Sequence, residues 1–308
     1  MQIFPVLAEK VNELVGVVIV NFQNYWDTID FVSNQLFKQK DIKLKIAIVD
    51  NASPNDSFDV LAREFEGINN VEVLQSKENR GYSSGNNIGI RYLLKSRECS
   101  YIIIANNDIS FSDPALIRKL VQKYHKLSHV ALWAPMMSNK NVICKNSAWR
   151  LPSVMSEVLS STFCLTSLFR RYLNKYYYDL SERSNLELPV DCLAGSFFMG
   201  TTETFEKIGY FDEGIFLYYE EMILGHKVKR LHLINYLVKD LAYNHKGASS
   251  INLSYNLSNK YSIRNSSKLY YWRKYRRKGF LFLVMIRILN YFNILEIRAL
   301  GLFRALFK

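Results

Sequence analysis

The stretch "LVGVVIVNF", Leu14 to Phe22, constrains the fold more than any other part of the chain. It is an almost unbroken β-branched run, the pattern of a strand covered on both faces. "IKLKIAIVD" (42–50), "VEVLQ" (71–75) and "YIII" (101–104) follow, at spacings that leave room for one helix each. The intervening segments supply those helices. "DTIDFVSNQLF" carries apolar residues at helical spacing, "FDVLAREFEG" is stopped by Gly67, and "SSGNNIGIRYLLKS" opens on serine and glycine. After the fourth strand, Asp113 is placed to cap a helix whose first position suits Pro114. Strand alternating with helix predicts a parallel sheet with helices on both faces.

In such a sheet, ligands bind beyond the carboxyl ends of the strands. Asp50–Asn51, Asn79–Arg80–Gly81 and Asn106–Asn107–Asp108 all fall at such ends. Alternate residues of an extended strand share a face, so Asn106 and Asp108 point one way and Asn107 the other. A carboxylate beside an amide oxygen suits Mg²⁺ or Mn²⁺ already carrying phosphate oxygens. A strand capped by an Asx-rich turn would look the same. Asp50 could accept the imide N–H of a uracil or thymine base, or only stabilise the Ser-Pro-Asn-Asp turn behind it.

"NRGYSSGNNIG" puts Gly81, Gly85 and Gly89 through a loop and a helix start. Glycine lets the backbone approach a ligand, and a helix N-terminus favours phosphate. The segment is neither G-x-G-x-x-G nor a Walker loop. Arg80 adds a cation. Glu220 and Glu221 follow "FLYY", an aromatic setting that would exclude water and raise a carboxylate pKa toward general-base use. Two acids at a helix N-terminus are also favourable in themselves. His245 is structural by default and becomes a metal ligand only if the fold brings it beside Asp108.

Composition adds a boundary. Of 40 basic residues, eleven lie from Arg264 onward, where Glu296 is the sole acid, so the net charge of +12 belongs largely to the tail. An anionic partner is expected there. "YYWRKYRRKGFLFLVMIRILNYF" sets cations and aromatics beside an apolar run. Arg287, Asn290, Arg298, Gly301, Arg304 and Lys308 fall along one helical face. That pattern predicts a helix lying in a membrane interface; a helical pair packed on the body or on a second subunit is the alternative. No apolar run approaches the ~20 residues of a spanning helix. The four scattered cysteines read as reduced thiols, and no secretory signal is evident, so a cytoplasmic placement is expected. Residues 140–189 read as an insertion of loops and short helices, with aromatics from Trp149 to Tyr178 as candidate acceptor walls.

Taken in order, "VVIVNF", "IVDNASPNDS", "ENRGYSSGNNIGI", "IIIANNDISF", "FFMGTTETFEKIGYFDEGIFLYYEE" and "NHKGASS" resemble the inverting nucleotide-sugar glycosyltransferases of family 2. The resemblance is nearest to the rhamnosyltransferase-like members that build bacterial surface polysaccharides. It implies a GT-A fold, a Rossmann-like and mainly parallel α/β sheet over 14–255, with a nucleotide-binding half at 14–110 and an acceptor-binding half at 111–255. Residues 256–308 would form the basic helical tail.

The resemblance also implies roles. Asp50 would read the pyrimidine, with Asn51, Asn79, Arg80, Gly81, Asn86, Asn106 and Asn107 around the nucleotide. Asp108, with His245, would hold Mg²⁺ or Mn²⁺ on the diphosphate. Glu221, or Glu220 beside it, would deprotonate the acceptor. Asn106 stands where the family has the first acid of D-x-D, and Glu221 where aspartate is usual. The implied donor is a UDP- or dTDP-sugar, the acceptor a saccharide or lipid-linked oligosaccharide, and the place of work the inner face of the cell membrane. A catalytically silent sugar-nucleotide-binding subunit and a sugar nucleotidyltransferase are rival readings. Nucleic-acid binding would explain the tail but not the ordered polar strand ends.

Overall fold

The computed structural model describes residues 13–140, 142–182, 185–246 and 257–306. The β-branched runs form β1 (Leu14–Asn21), β2 (Lys43–Asp50), β3 (Val71–Gln75) and β4 (Tyr101–Ala105). They are parallel, in the order β3-β2-β1-β4. The crossovers are α1 (Tyr25–Phe31), which continues into a π-helical turn, then α2 (Ser57–Glu64) and α3 (Tyr82–Ser96).

The unbroken apolar runs are explained by cover on both faces. Ile103 joins Val15, Val17, Ile19 and Phe31 in one core, while Ile102 and Ile104 join Val18, Ile90 and Leu93 in the other. Each such side chain contributes about 1.5–3 kcal/mol on burial. Polar residues therefore enter only where the strands end. At Gly89 a Cβ would lie 2.5 Å from Val18 Cγ1, so glycine there lets α3 settle on β1 rather than on a ligand.

Beyond β4 the sheet departs from the parallel expectation. β5 (Ile109–Ser110), α4 (Leu116–Tyr124), β6 (Val130–Asn139) and β7 (Val142–Ile143) come first. The insertion follows, built from β8 (Ala148–Trp149), α5 (Val154–Leu159), α6 (Phe163–Leu168), α7 (Arg170–Asn174), β9 (Glu187–Val190) and β10 (Cys192–Leu193). β11 (Phe197–Thr201), α8 (Thr202–Lys207), α9 (Glu220–Arg230) and β12 (Ile234–His245) complete the core. β11 runs antiparallel between β4 and β6, and β12 lies parallel to β6 but antiparallel to β5 and β9. The sheet is mixed. Asp113 accepts from the Ala115 amide at 2.8 Å, and α4 starts two residues after Pro114, not on it.

The tail forms α10 (Leu257–Lys274) and α11 (Phe280–Leu306). Tyr271 and Trp272 of α10 are fully buried, in a cluster with Ile215, Tyr219 and Ile223. Packing on the body is thus what α10 does.

The expectation that no segment reaches spanning length is corrected by α11. Phe280–Ala299 is 20 residues with mean hydropathy 1.7, long and apolar enough to cross a membrane. Isolated polar residues break the run without lowering its average enough. The expected polar face is also corrected. Asn290 is buried against Lys268 Nζ at 3.2 Å, while Phe280, Leu281, Ile288, Tyr291 and Phe292 are exposed. Gly301, Arg304 and Lys308 lie beyond the residues whose side chains are described.

Candidate active site

β4 ends at Ala105, and the next three residues run into a turn in which their side chains diverge. Asn106 Oδ1 faces the Tyr82 hydroxyl at 3.1 Å. Asp108 is buried, with Oδ1 3.1 Å from His245 Nε2. That meeting is made by strand pairing: β5 and β12 put Ile109 opposite His245. Asn107 turns the other way and donates to Thr28 Oγ1 at 2.8 Å and to the Asn24 carbonyl at 3.3 Å. Its amide nitrogen is thereby engaged by α1. It ties α1 to the strand end.

Thr28 passes the contact on, donating to Asn21 Oδ1 at 2.8 Å, and Asn21 Nδ2 donates to Asp50 Oδ1 at 2.9 Å. Asp50 is completely buried and also accepts from the Ser53 hydroxyl at 2.6 Å and the Ser53 amide at 3.0 Å. In this state its carboxylate orders the 50–53 turn.

The loop into α3 is built around Asn51 and Asn79. Asn51 Nδ2 donates to Asn79 Oδ1 at 3.0 Å and to the Gly81 carbonyl at 3.2 Å, and Asn79 Oδ1 also accepts from the Gly81 amide. Gly81 has φ 92° and ψ −179°, and a Cβ there would lie 1.9 Å from the Phe216 carbonyl oxygen. Its close approach is to the protein's own backbone, where ligand approach was expected. Arg80 is over half exposed and only loosely paired, with Glu78 at 3.6 Å and Glu213 at 3.9 Å. It is the exposed cation of the set.

Asn86 Nδ2 donates to the Tyr82 carbonyl at 2.9 Å. The buried oxygens Asn51 Oδ1, Ser83 Oγ and Asn86 Oδ1 have no hydrogen-bond partner. All three lie on or against the first turns of α3, since a Cβ at Gly85 would come 3.5 Å from Asn51 Cγ. Buried polar groups are rarely left unsatisfied, so these three oxygens call for water or a ligand as partner.

Glu220 and Glu221 open α9, entered through Tyr218 and Tyr219 at φ 70° and 73°. Glu220 is buried and Glu221 is half-buried. Burial pushes the Glu220 carboxyl up, and the adjacent Glu221 charge pushes it further. Burial raises Glu221 as well, but its own amide and that of Gly195 favour the ionised form. Backbone amides favour the ionised form of both acids, and burial raises both; the neighbouring Glu221 charge is a further cause acting on Glu220. Glu220 Oε1 has no hydrogen-bond partner.

Tyr82 joins the two halves and escaped the sequence reasoning. Its hydroxyl lies 3.1 Å from Asn106 Oδ1 and 2.9 Å from the Gly195 carbonyl. A Cβ on Gly195 would be 2.8 Å from Glu221 Oε1. Burial raises the Tyr82 pKa, and the charges of Glu220, Glu221 and Asp108 add to that. The signal available in sequence was a tyrosine placed directly after Arg-Gly at the start of α3.

A cleft of about 910 Å³ opens beside the irregular stretch of β12 between Val238 and Ala242, walled by Tyr177, Tyr178, Leu180, Lys239 and Asp240. None of the candidate nucleotide, metal or base residues lines it. Tyr178 belongs to this wall, whereas Trp149 pairs with β10.

A mixed sheet flanked by helices, with amide and acidic side chains gathered beyond the strand ends, is the GT-A arrangement. The glycosyl transferase family 2 model matches residues 17–209, and the chain belongs to that family. The low-salt glycan biosynthesis hexosyltransferase Agl10 of Haloferax volcanii is 26% identical over 215 residues, 70% of this chain and 61% of that protein. The chain thus spans about three fifths of that relative's length. Mannosyltransferase PcManGT from Pyrobaculum calidifontis, solved with GDP-Man and Mn²⁺, superposes with a TM-score of 0.57 at 13% identity, covering 90% of this chain and 69% of its own. S. aureus TarS 1-349 superposes at 0.50 and 14% identity, covering 86% and 74%.

Proposed function

We propose that the protein is an inverting hexosyltransferase that moves a sugar from a UDP- or dTDP-sugar to a saccharide acceptor in surface-polysaccharide synthesis. The observation that carries this reading is the convergence of Asp108–His245, the unsatisfied oxygens on α3 and the Glu220/Glu221 pair around Tyr82.

The donor diphosphate lies over the α3 N-terminus, where no side chain caps the first turn. Asn51, Asn79 and Asn86 line the nucleotide, and Arg80 swings in from solvent. Asp50 recognises the base once Ser53 releases one of its oxygens. Asp108 and His245 fit Mg²⁺ or Mn²⁺ as an oxygen–imidazole pair, the remaining ligands coming from diphosphate and water. When bound, the ion supplies charge neutralisation for the leaving group. Glu221 accepts the acceptor hydroxyl's proton while Glu220 stays neutral. Attack from the opposite face of the sugar inverts the anomeric carbon in one displacement.

The tail supports a lipid-linked acceptor at the inner face of a membrane. The outer side of α11 exposes Phe280, Leu281, Ile288, Tyr291 and Phe292, next to the cations Arg273, Lys274, Arg276, Arg277 and Lys278. Ile286 is fully buried, Asn290 holds Lys268, and Glu296 accepts from the Phe163 amide at 2.6 Å. A helix tied to the body at three points along its length suits a peripheral position better than a spanning one. A transfer assay across nucleotide sugars tests the reading: the full chain releases UDP or dTDP in an acceptor-dependent way. Release of pyrophosphate from a nucleoside triphosphate and a sugar 1-phosphate would instead identify a nucleotidyltransferase, and donor binding without turnover a silent subunit.

A further inference from the structure

The acids of the candidate site are reached through an unfavourable piece of backbone. Tyr218 and Tyr219 both occupy the left-handed region, at φ 70° and 73°, directly before Glu220. Two consecutive bulky residues persist there only where the surroundings hold them. On one side the hold comes from the nucleotide loop, since the Tyr82 amide donates to the Phe216 carbonyl at 3.0 Å and Gly81 abuts the same group. On the other it comes from the tail. Ser267 of α10 donates to the Leu217 carbonyl at 2.7 Å, and the Tyr219 ring rests 5.6 Å from Tyr271.

Behind Tyr219 lies a buried charge pair that no step of the reaction uses. Glu157, on α5 of the insertion, accepts from the Tyr219 hydroxyl at 3.2 Å, from Trp272 Nε1 at 3.0 Å, and from Lys268 Nζ at 3.0 Å. The two charged side chains are 5% and 7% exposed, so neither is screened by water. Lys268 also reaches Asn290 of α11. Three separate parts of the chain therefore meet on one carboxylate: the insertion, the tail, and the turn that delivers Glu220 and Glu221.

We propose that Glu157 and Lys268 are positioning residues, which hold Tyr219 and so fix Glu220 and Glu221 against Gly195, making the C-terminal helices a working part of the transfer site. The claim rests on the hexosyltransferase reading for its kinetic consequence but not for its structural one. Tyr219→Phe removes one hydroxyl and keeps the ring. Glu157→Gln with Lys268→Met removes both charges together, so that neither is left buried alone.

Two readouts on the full chain test the proposal. Amide hydrogen exchange at residues 218–221 should quicken by roughly tenfold in Tyr219→Phe while β1 and α3 keep their protection. In the transfer assay kcat should fall by roughly tenfold with donor KM unchanged, because the acids act on the acceptor. The double variant should show both effects more strongly. Unchanged exchange at 218–221 in the two variants would overturn the proposal, even if the melting temperature falls, since the pair would then be structural only. Exchange needs no turnover, so a wild-type chain that transfers nothing would refute the proposed function while leaving this test decisive. Tyr219→Phe alone suffices if the double variant does not fold.

Discussion

Asp108 Oδ1 lies 3.1 Å from His245 Nε2 although 137 residues separate them in the chain. The two-residue strand β5, paired with the end of β12, makes the meeting, and the pair is where the proposed reading puts the metal. Asp108→Asn keeps the shape and removes the charge. It should abolish most transfer and weaken Mn²⁺-dependent donor binding, while His245→Ala should show a smaller loss of both. Titration calorimetry with Mn²⁺ and UDP checks the order.

The proposed division of labour between the two acids gives a second expectation. Glu221→Gln should lower transfer by about 10²–10⁴-fold with donor binding intact, as loss of a general base does. If Glu220→Gln shows that loss and Glu221→Gln does not, the proton sits on the other carboxyl.

Stability should follow the same pair. Burial raises the Glu220 carboxyl above its unfolded value, so its neutral form is favoured in the fold. Its favourable contribution is present below the ordinary glutamate range and is lost as pH rises through the raised value. Glu220→Gln should therefore raise the melting temperature at pH 8 relative to wild type, with little effect at pH 4. Melting curves across that range are the check; an equal effect at both ends would contradict the assignment.

Much of this was legible in the sequence. β1, β4 and the C-terminal part of β2 were readable because strands buried on both faces leave no position for polar residues until they end. Asp108 was singled out by chemistry that a core would refuse, Glu221 and Glu220 by their aromatic setting, and His245 only on condition that the fold brought it beside Asp108. What escaped depends on pairing at long range. Nothing local in "FFMGT" sets its direction against β4, so the antiparallel placement of β11 was invisible. Asn107 was legible as pointing away from Asp108, but its bond to Thr28 required the position of α1. Glu157 sat in a weakly patterned insertion, and its partner Lys268 in a tail read as basic surface. Burial of that lysine is a tertiary fact.

Gly81 offers a purely steric prediction. Its φ of 92° with ψ near 180° is open almost only to glycine, costing other residues about 1–3 kcal/mol, and a Cβ would strike the Phe216 carbonyl. Gly81→Ala should destabilise the protein by at least that amount and loosen donor binding through Asn51 and Asn79. Chemical denaturation measures the first effect.

Because α10 is part of the core, removing the tail is not a clean test of membrane binding. Substitution of exposed positions on α11 is. Leu281→Ser, Ile288→Ser and Phe292→Ser together should reduce co-sedimentation with anionic vesicles while leaving the melting temperature nearly unchanged. The residual binding should be salt-sensitive, each basic residue near the surface adding about 1 kcal/mol. Binding equal to wild type would remove α11 from the membrane.

The central claim is that the edge of the sheet around Asp108 and α3 receives a nucleotide sugar. Thermal unfolding of the full chain with a panel of nucleotide sugars, with and without Mn²⁺, tests it most directly. A UDP- or dTDP-sugar at about 100 times its Kd should add about 2.7 kcal/mol of stability when Mn²⁺ is present. That gain should shrink without the ion and be lost in Asp108→Asn. No stabilisation by any member of the panel, or equal stabilisation of wild type and Asp108→Asn, would contradict the account.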